Sequence, residues 1–336
     1  MRAVGFKHPL PIDQDQALID IELDKPAPQG RDLLVAVKAV SVNPVDTKVR
    51  RRTDPKGGAP KVLGYDATGV VAAVGPDVRL FKLGDEVWYA GSIVRPGTNS
   101  EFHLVDERIV GTKPKTLSFA AAAALPLTSI TAWEVLFDRF GIARHGGEGK
   151  SLLIIGGAGG VGSIAIQLAR SLTRLTVIAT ASRPQTQSWC RELGAHHVID
   201  HSKPMPEQVK AIGHRFIDYI FGVTESGEHF DAIAEMVAPQ GKFGLIDDPK
   251  SLDVAKLKSK SASLHWEAMF TRSTFQTADM EAQHQLLNEV ARMVESGTIR
   301  TTVQENLGPI NAANLKRAHA MIESGRTRGK IVLEGF

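Results

Sequence analysis

The stretch Ser151-Leu-Leu-Ile-Ile-Gly-Gly-Ala-Gly-Gly-Val-Gly-Ser-Ile-Ala-Ile-Gln-Leu-Ala-Arg170 decides the fold. Leu152 to Ile155 is a short apolar run that stops at glycine, as a strand buried on both faces does. Gly157, Gly159 and Gly162 then fit G-x-G-x-x-G, and Ile164 and Leu168 continue at helical spacing. A glycine triplet between a strand and a helix is the context in which this pattern signals a dinucleotide site. The first glycine permits the tight turn, the second lets backbone approach a pyrophosphate, and the third lets helix pack on strand. Free N–H groups at the helix start, reinforced by its dipole, would hold the phosphates. Gly157, Gly159, Gly160, Val161 and Gly162 are therefore the expected pyrophosphate cradle.

The next strand selects the cofactor. It reads Leu175-Thr-Val-Ile-Ala-Thr-Ala181 and ends at Ser182-Arg183. An NAD site places an acid roughly 20 residues past the glycines, on the ribose 2′-hydroxyl. Here the first acid after Gly162 is Glu192. A hydroxyl and a guanidinium suit a 2′-phosphate, so the expectation is NADP(H), held by Ser182 and Arg183. As a solvated helix-start residue, Arg183 would instead leave the site indifferent.

Beyond Arg183 the pattern continues as βα units. The expected elements are helix 184–193, strand 197–200, strand 217–223, helix 228–237 and strand 241–246, with 263–270 as the edge strand. Such alternation predicts a doubly wound parallel sheet. Upstream, residues 1–125 read as short strands separated by glycine turns, a small barrel or sandwich. Its expected strands are 2–6, 33–42, 62–74 and 86–89. Ser118 caps a short alanine-rich helix, followed by a helix over 128–140. Helices 280–295 and 311–324 and strand 330–334 complete the chain.

The 336 residues allow two domains, and a composition 43% hydrophobic and 23% charged is that of a globular protein. A net charge of +3 is too small to argue for nucleic acid. Arg50-Arg51-Arg52 with Lys56 reads as a solvated basic loop, or else as part of the mouth of an anionic cleft. One cysteine, Cys190, excludes both an internal disulfide and a four-cysteine zinc site. No signal-peptide pattern opens the chain, and no apolar run approaches the roughly 20 residues of a membrane span. A cytoplasmic protein is the expectation. His196, His197 and His201 do not make a metal site: on a strand the first two face opposite sides.

Gly64-Tyr65-Asp66-Ala-Thr-Gly69-Val-Val-Ala-Ala-Val-Gly75, followed by Gly84-Asp85-Glu86-Val87, resembles the medium-chain dehydrogenase/reductase superfamily. With Ser41-Val-Asn-Pro-Val-Asp46, Leu125-Pro-Leu-Thr-Ser-Ile-Thr-Ala-Trp133 and the glycine loop, the chain is similar to the zinc-free quinone oxidoreductase branch and to zinc-type alcohol dehydrogenase-like proteins. The resemblance implies an α/β fold in two domains. Residues 1–125, completed by 271–336, would form a GroES-like domain, and 126–270 a Rossmann domain, with cofactor and substrate in the cleft between them. It also implies an NADPH-dependent reductase of quinones, enones or similar activated carbonyl compounds, commonly a dimer.

The departures bear on chemistry. Zinc alcohol dehydrogenases carry histidine where this chain has Tyr65 and cysteine near Asn43, and the lobe with four cysteines is missing. Asp46 and Asp66 alone are too few ligands, so no zinc is expected. Lys48 stands where many quinone oxidoreductases have tyrosine, either as a cationic substitute or pointing to water. Hydride comes from the nicotinamide, and the protein must stabilise the oxygen that becomes negative. Asn43 is the first candidate donor, with capping of the turn at Pro44 as its alternative role. Thr128 resembles the residue beside the nicotinamide, and Tyr65 either lines the pocket or belongs to the core. Lys330, in Gly325-Arg-Thr-Arg328-Gly-Lys330, resembles a lysine close to the cofactor. Two other readings stay open: a reductase of aldehydes or ketones on the same fold, and a non-catalytic NADPH-binding protein like the lens crystallins of this branch.

Overall fold

The computed structural model describes residues 1–336 apart from the Lys56 side chain, so that part of the basic-cluster reading lies outside the described residues. The chain forms two compact units. One comprises Met1–Ile130 and Phe270–Phe336, the other Thr131–Met269.

In the second unit six parallel strands alternate with helices. Their spatial order is His197–Ile199, Thr176–Thr180, Ser151–Ile155, Ile217–Gly222, Val237–Leu245 and Ser263–Trp266. That is the doubly wound order 3-2-1-4-5-6, whose direction reverses between Ser151–Ile155 and Ile217–Gly222. The first of these strands is buried throughout, as its unbroken apolar run requires. Leu153, Ile178, Ile220, Phe230 and Phe243 share the core. The edge strand stops at Trp266, shorter than the 263–270 expected, because the chain turns there toward the helix Thr271–Phe275.

The first unit is built on the long strand Asp32–Val42. Ala67–Val74 and Lys330–Glu334 pair antiparallel with it on opposite sides. Glu86–Tyr89 and Val110–Thr112 extend the sheet one way and Val303–Asn306 the other. Phe102–Asp106 pairs with the first half of the long strand. Val35, Val40, Leu63, Leu315, Ile331 and Leu333 lie at the centre of its core.

Further expectations need correction. The strand over 62–74 is interrupted: Lys61–Val62 and Ala67–Val74 are separate, and Leu63 to Asp66 leave the ladder. Arg50–Arg52 is not a solvated loop but the end of a helix, Pro44–Arg52. Helical periodicity turns Arg50 inward, fully buried, where it donates to the Leu10 carbonyl at 2.5 Å and pairs with Glu323; Arg51 and Arg52 stay exposed. The helix expected over 128–140 starts at Pro126 and passes at Glu134 into a π-helical segment ending at Arg139. The whole helical run Phe119–Arg139, 21 residues, has the length and apolar composition of a membrane span, which the sequence reading missed; 83% of its apolar window is buried inside the protein.

Candidate active site: a buried charge cluster and a glycine loop

Sheet register assembles the first group of residues. Ser41 and Asn43 lie two apart at the end of the long strand and therefore on one face. Ile331 pairs with Val42 on one side, which puts Lys330 beside Asn43. Val40 pairs with Ala67 on the other, which puts Asp66 beside Ser41. Asp46 joins them from the first turn of the helix Pro44–Arg52.

The polar contacts are dense. Asp66 Oδ2 accepts from Ser41 Oγ at 2.8 Å and Asn43 Nδ2 at 2.7 Å, and Oδ1 accepts from the Leu127 N–H at 2.8 Å. Asp46 accepts from the Asn43 N–H at 2.7 Å and the Gly64 N–H at 3.0 Å. Gly64 sits at φ +105, and a Cβ there would come within 2.5 Å of Thr98 Oγ1, so the position admits only glycine. Lys330 Nζ donates to the Val42 carbonyl at 2.8 Å and to Asn43 Oδ1 at 2.5 Å, and lies 3.4 Å from Asp66 Oδ2.

All of these groups are removed from water, and their proton affinities follow. Burial raises Asp46 to about 7, against the pull of the Asn43 N–H and the Lys330 charge. Burial raises Asp66 and lowers Lys330, each opposed first by the other's charge. Tyr65 is fully buried, its ring edge-on to Phe270 at 5.3 Å, and its hydroxyl has no partner among the described residues. Burial, and then the Asp46 charge, push it above the ordinary phenol range, so it is a donor at any working pH.

The structure thus brings Asn43, Tyr65 and Lys330 into the first unit's buried interior. Asn43 is the residue before the helix, but its side-chain amide turns to Asp66 and Lys330. Thr128 is buried too, its hydroxyl donating to the Leu125 carbonyl at 3.0 Å. Lys48 is half-buried. Sequence reasoning missed Ser41, and it missed the pairing of Asp66 with Lys330. The register of the three strands was the signal that could have found both.

The second group is the glycine loop of the other unit. Gly159 precedes the helix Gly160–Leu172 and supplies no capping side chain, leaving the first N–H groups without partners inside the helix. A Cβ on Gly157 would meet Ala179 Cβ at 2.8 Å and Cys190 Sγ at 3.2 Å. One on Gly162 would meet the Gly156 carbonyl oxygen at 2.3 Å. One on Gly159 would reach protein only at 3.7 Å, so it would fill open space beside the helix start. A backbone cradle with its open space on the N-terminal side of a helix fits a pyrophosphate.

Ser182 and Arg183 are exposed just past Thr176–Thr180, with Arg183 at the start of the helix Pro184–Glu192. The Thr180 hydroxyl ties this rim to the loop: it accepts from the Gly156 N–H at 3.0 Å and lies 3.1 Å from His201 Nδ1. Burial lowers His201, and the charges of His229 and Arg183 add to it. The histidines do not converge. His196 Nδ1 accepts from the Val177 N–H at 2.8 Å, and His197 faces His214.

For zinc the residues do not fit. Among the described residues no three His, Cys, Asp or Glu side chains are grouped to hold a metal. Asp46 and Asp66 spend their oxygens on N–H and O–H donors, beside an ammonium.

Two family models match the chain. Residues 29–125 match the alcohol dehydrogenase GroES-like domain, and residues 193–333 match zinc-binding dehydrogenase. The chain is 40% identical, over 99% of both sequences, to the zinc-type alcohol dehydrogenase-like protein SAS2087 of Staphylococcus aureus. A solved structure from Rhizobium etli, provisionally classed as a zinc-dependent alcohol dehydrogenase, is 61% identical with a TM-score of 0.96, covering 100% of this chain and 98% of that one. The Escherichia coli quinone oxidoreductase, solved with NADPH, is 25% identical with a TM-score of 0.85, covering 99% and 100%.

Proposed function

The chain belongs to the medium-chain dehydrogenase/reductase superfamily, and from that premise we propose that it is an NADPH-dependent, zinc-independent reductase of quinones, enones or similar activated carbonyl compounds. The observation that carries the reading is the glycine loop, closed to side chains at Gly157 and Gly162 and followed by Ser182 and Arg183 where an NAD site would have a carboxylate. The NADPH bound by the Escherichia coli relative supports the same cofactor.

NADPH supplies the hydride when bound. The loop residues Gly157, Gly159, Gly160, Val161 and Gly162 hold its pyrophosphate, and Ser182 and Arg183 select the 2′-phosphate. In the other unit, the amide of Asn43 and the hydroxyl of Tyr65 are uncharged donors for the acceptor's oxygen as negative charge develops on it. Thr128 follows Leu127, whose N–H donates to Asp66, and completes the acceptor's surroundings. Water delivers the proton, so no general acid is required. The edge strand Ser263–Trp266, with Trp266 57% exposed, suits pairing with a second copy in a homodimer.

The test is oxidation of NADPH and NADH by metal-stripped protein against a quinone, an enone and a saturated aldehyde. Turnover of quinone or enone, with NADPH preferred, is the expected result. Turnover of the saturated aldehyde alone would move the assignment to a carbonyl reductase. Tight NADPH binding without turnover of any acceptor would reject the reductase.

A further inference from the structure

We propose that Lys330 is a positioning residue: its buried ammonium is a built-in cation that orients and polarises the Asn43 amide, and it does not bind cofactor phosphate. The proposal rests on the reading of Asn43 as a donor to the acceptor's oxygen.

The donor count argues first. An ammonium has three N–H donors and no acceptor. Lys330 meets three acceptors: the Val42 carbonyl at 2.8 Å, Asn43 Oδ1 at 2.5 Å and Asp66 Oδ2 at 3.4 Å. Its side chain is 4% exposed. No donor remains for a phosphate, and reaching one would abandon three buried acceptors.

The same contacts fix the amide of Asn43. Its oxygen faces the cation, and its nitrogen gives one hydrogen to Asp66 Oδ2 at 2.7 Å. The second N–H is the donor left for an acceptor molecule. A cation on the amide oxygen draws electron density away from nitrogen, and the low local dielectric magnifies the effect. That N–H is therefore a stronger donor than an ordinary asparagine offers. This is the service a metal ion would give an oxyanion, performed here by an ammonium beside two carboxylates that zinc cannot claim.

The experiment compares Lys330→Met, Lys330→Arg, Asn43→Ala and the double variant Asn43→Ala/Lys330→Met. NADPH affinity is read by nicotinamide fluorescence and turnover with the best acceptor of the wild type. Lys330→Met is expected to lower kcat by about 100-fold while leaving the NADPH Kd within about twofold, and Lys330→Arg to recover part of the loss. In the Asn43→Ala background the lysine change should cost less than about threefold, because the two act as one unit. An NADPH Kd weakened more than about tenfold with kcat retained, or multiplicative effects of the two changes, would overturn the proposal.

A second readout separates this inference from the reductase reading. With ¹⁵N-asparagine labelling, the Asn43 side-chain amide signal, identified by its loss in Asn43→Ala, should be protected from hydrogen exchange. In Lys330→Met it should move and lose that protection, whether or not any acceptor turns over. An unmoved signal rejects the positioning role. If Lys330→Met does not fold, Lys330→Met/Asp66→Asn, which removes one charge of each sign, is read in its place.

Discussion

The glycine loop and the Asp46–Asp66–Lys330 cluster are built by opposite means. The loop uses what is absent. Within a run of seven residues, missing side chains leave the backbone at a helix start uncovered, the arrangement an anion site needs. The cluster uses what converges. Ser41, Asn43, Asp46, Asp66, Leu127 and Lys330 span nearly the whole chain: three strands paired in one register bring Ser41, Asn43, Asp66 and Lys330 together, and two helix starts add Asp46 and Leu127. A local backbone device tolerates changes around it but none at its glycines. A convergent charge device tolerates no change in its charge balance, because each buried ion relies on the others for the solvation it has lost.

The largest effect expected from this contrast lies in the loop. Gly162→Val puts carbon atoms where the Gly156 carbonyl oxygen stands, 2.3 Å from any Cβ, so the backbone must move. NADPH affinity should fall by more than about 100-fold, roughly 2.7 kcal/mol, together with the melting temperature. Gly159→Ala sharpens the point. Its Cβ is 3.7 Å from the nearest protein atom, an ordinary contact, so the fold should keep its melting temperature while NADPH binding is lost. Titration of nicotinamide fluorescence beside a thermal melt reads both. Unchanged NADPH affinity in Gly159→Ala would mean that the open space beside it is not the pyrophosphate's.

The same contrast explains what could be read in the sequence. The strand, loop and helix at 151–172 were legible because apolar run, glycine spacing and helical period are neighbours in the chain. The six-strand alternation was legible for the same reason. The family pattern around Gly64–Asp66 pointed to Tyr65 and Asp66 but not to their contacts. Arg50 looked like surface because three arginines in a row usually are; the helix Pro44–Arg52, the carbonyl of Leu10 and the carboxylate of Glu323 together explain its burial. For Lys330 the family resemblance suggested a place near the cofactor but not its partners in the fold, which lie 287 and 288 positions away in the chain.

A second buried charge group, in the unit that carries the loop, tests whether completeness of hydrogen bonding is what sets the Asp66 cluster apart. Glu134 and Glu267 are buried beside the half-buried Arg139, whose Nε donates to Glu267 Oε2 at 2.8 Å and whose terminal nitrogen lies 3.6 Å from Glu134 Oε2. Burial first, and then the Glu134 charge, raise Glu267 to about 9. The native state therefore keeps a proton that the unfolded chain releases at an ordinary carboxyl pKa. Between those limits the native state binds more protons, so stability falls as pH rises, by up to about 1.4 kcal/mol per pH unit. Asp46, raised to about 7, adds the same sign only below that pH; Lys330, lowered by burial, acts with the opposite sign. The quantity to read is the difference between wild type and Glu267→Gln in denaturant unfolding at pH 7 and pH 9. The variant, neutral throughout, should lose less stability over that interval. Parallel pH dependences would show that Glu267 is ionised in the native state and that Arg139 suffices for both carboxylates.

The smallest expected effect is at the rim of the loop, where recognition by side chains meets recognition by backbone. Arg183 is exposed, and a contact made by an exposed guanidinium is screened by water and salt. Its contribution to a 2′-phosphate should be correspondingly modest, about tenfold in affinity or 1.4 kcal/mol, against the complete dependence on Gly159 and Gly162. Arg183→Ala should raise the KM for NADPH by that factor and leave the KM for NADH unchanged, since only the 2′-phosphate is read there. The effect should shrink as salt is added, whereas the loss in Gly159→Ala, which is steric, should not. Equal losses for both cofactors would place Arg183 on the pyrophosphate or the adenine instead. An unchanged preference for NADPH would transfer selection to Ser182 or to His201, which the Thr180 hydroxyl joins to the Gly156 N–H.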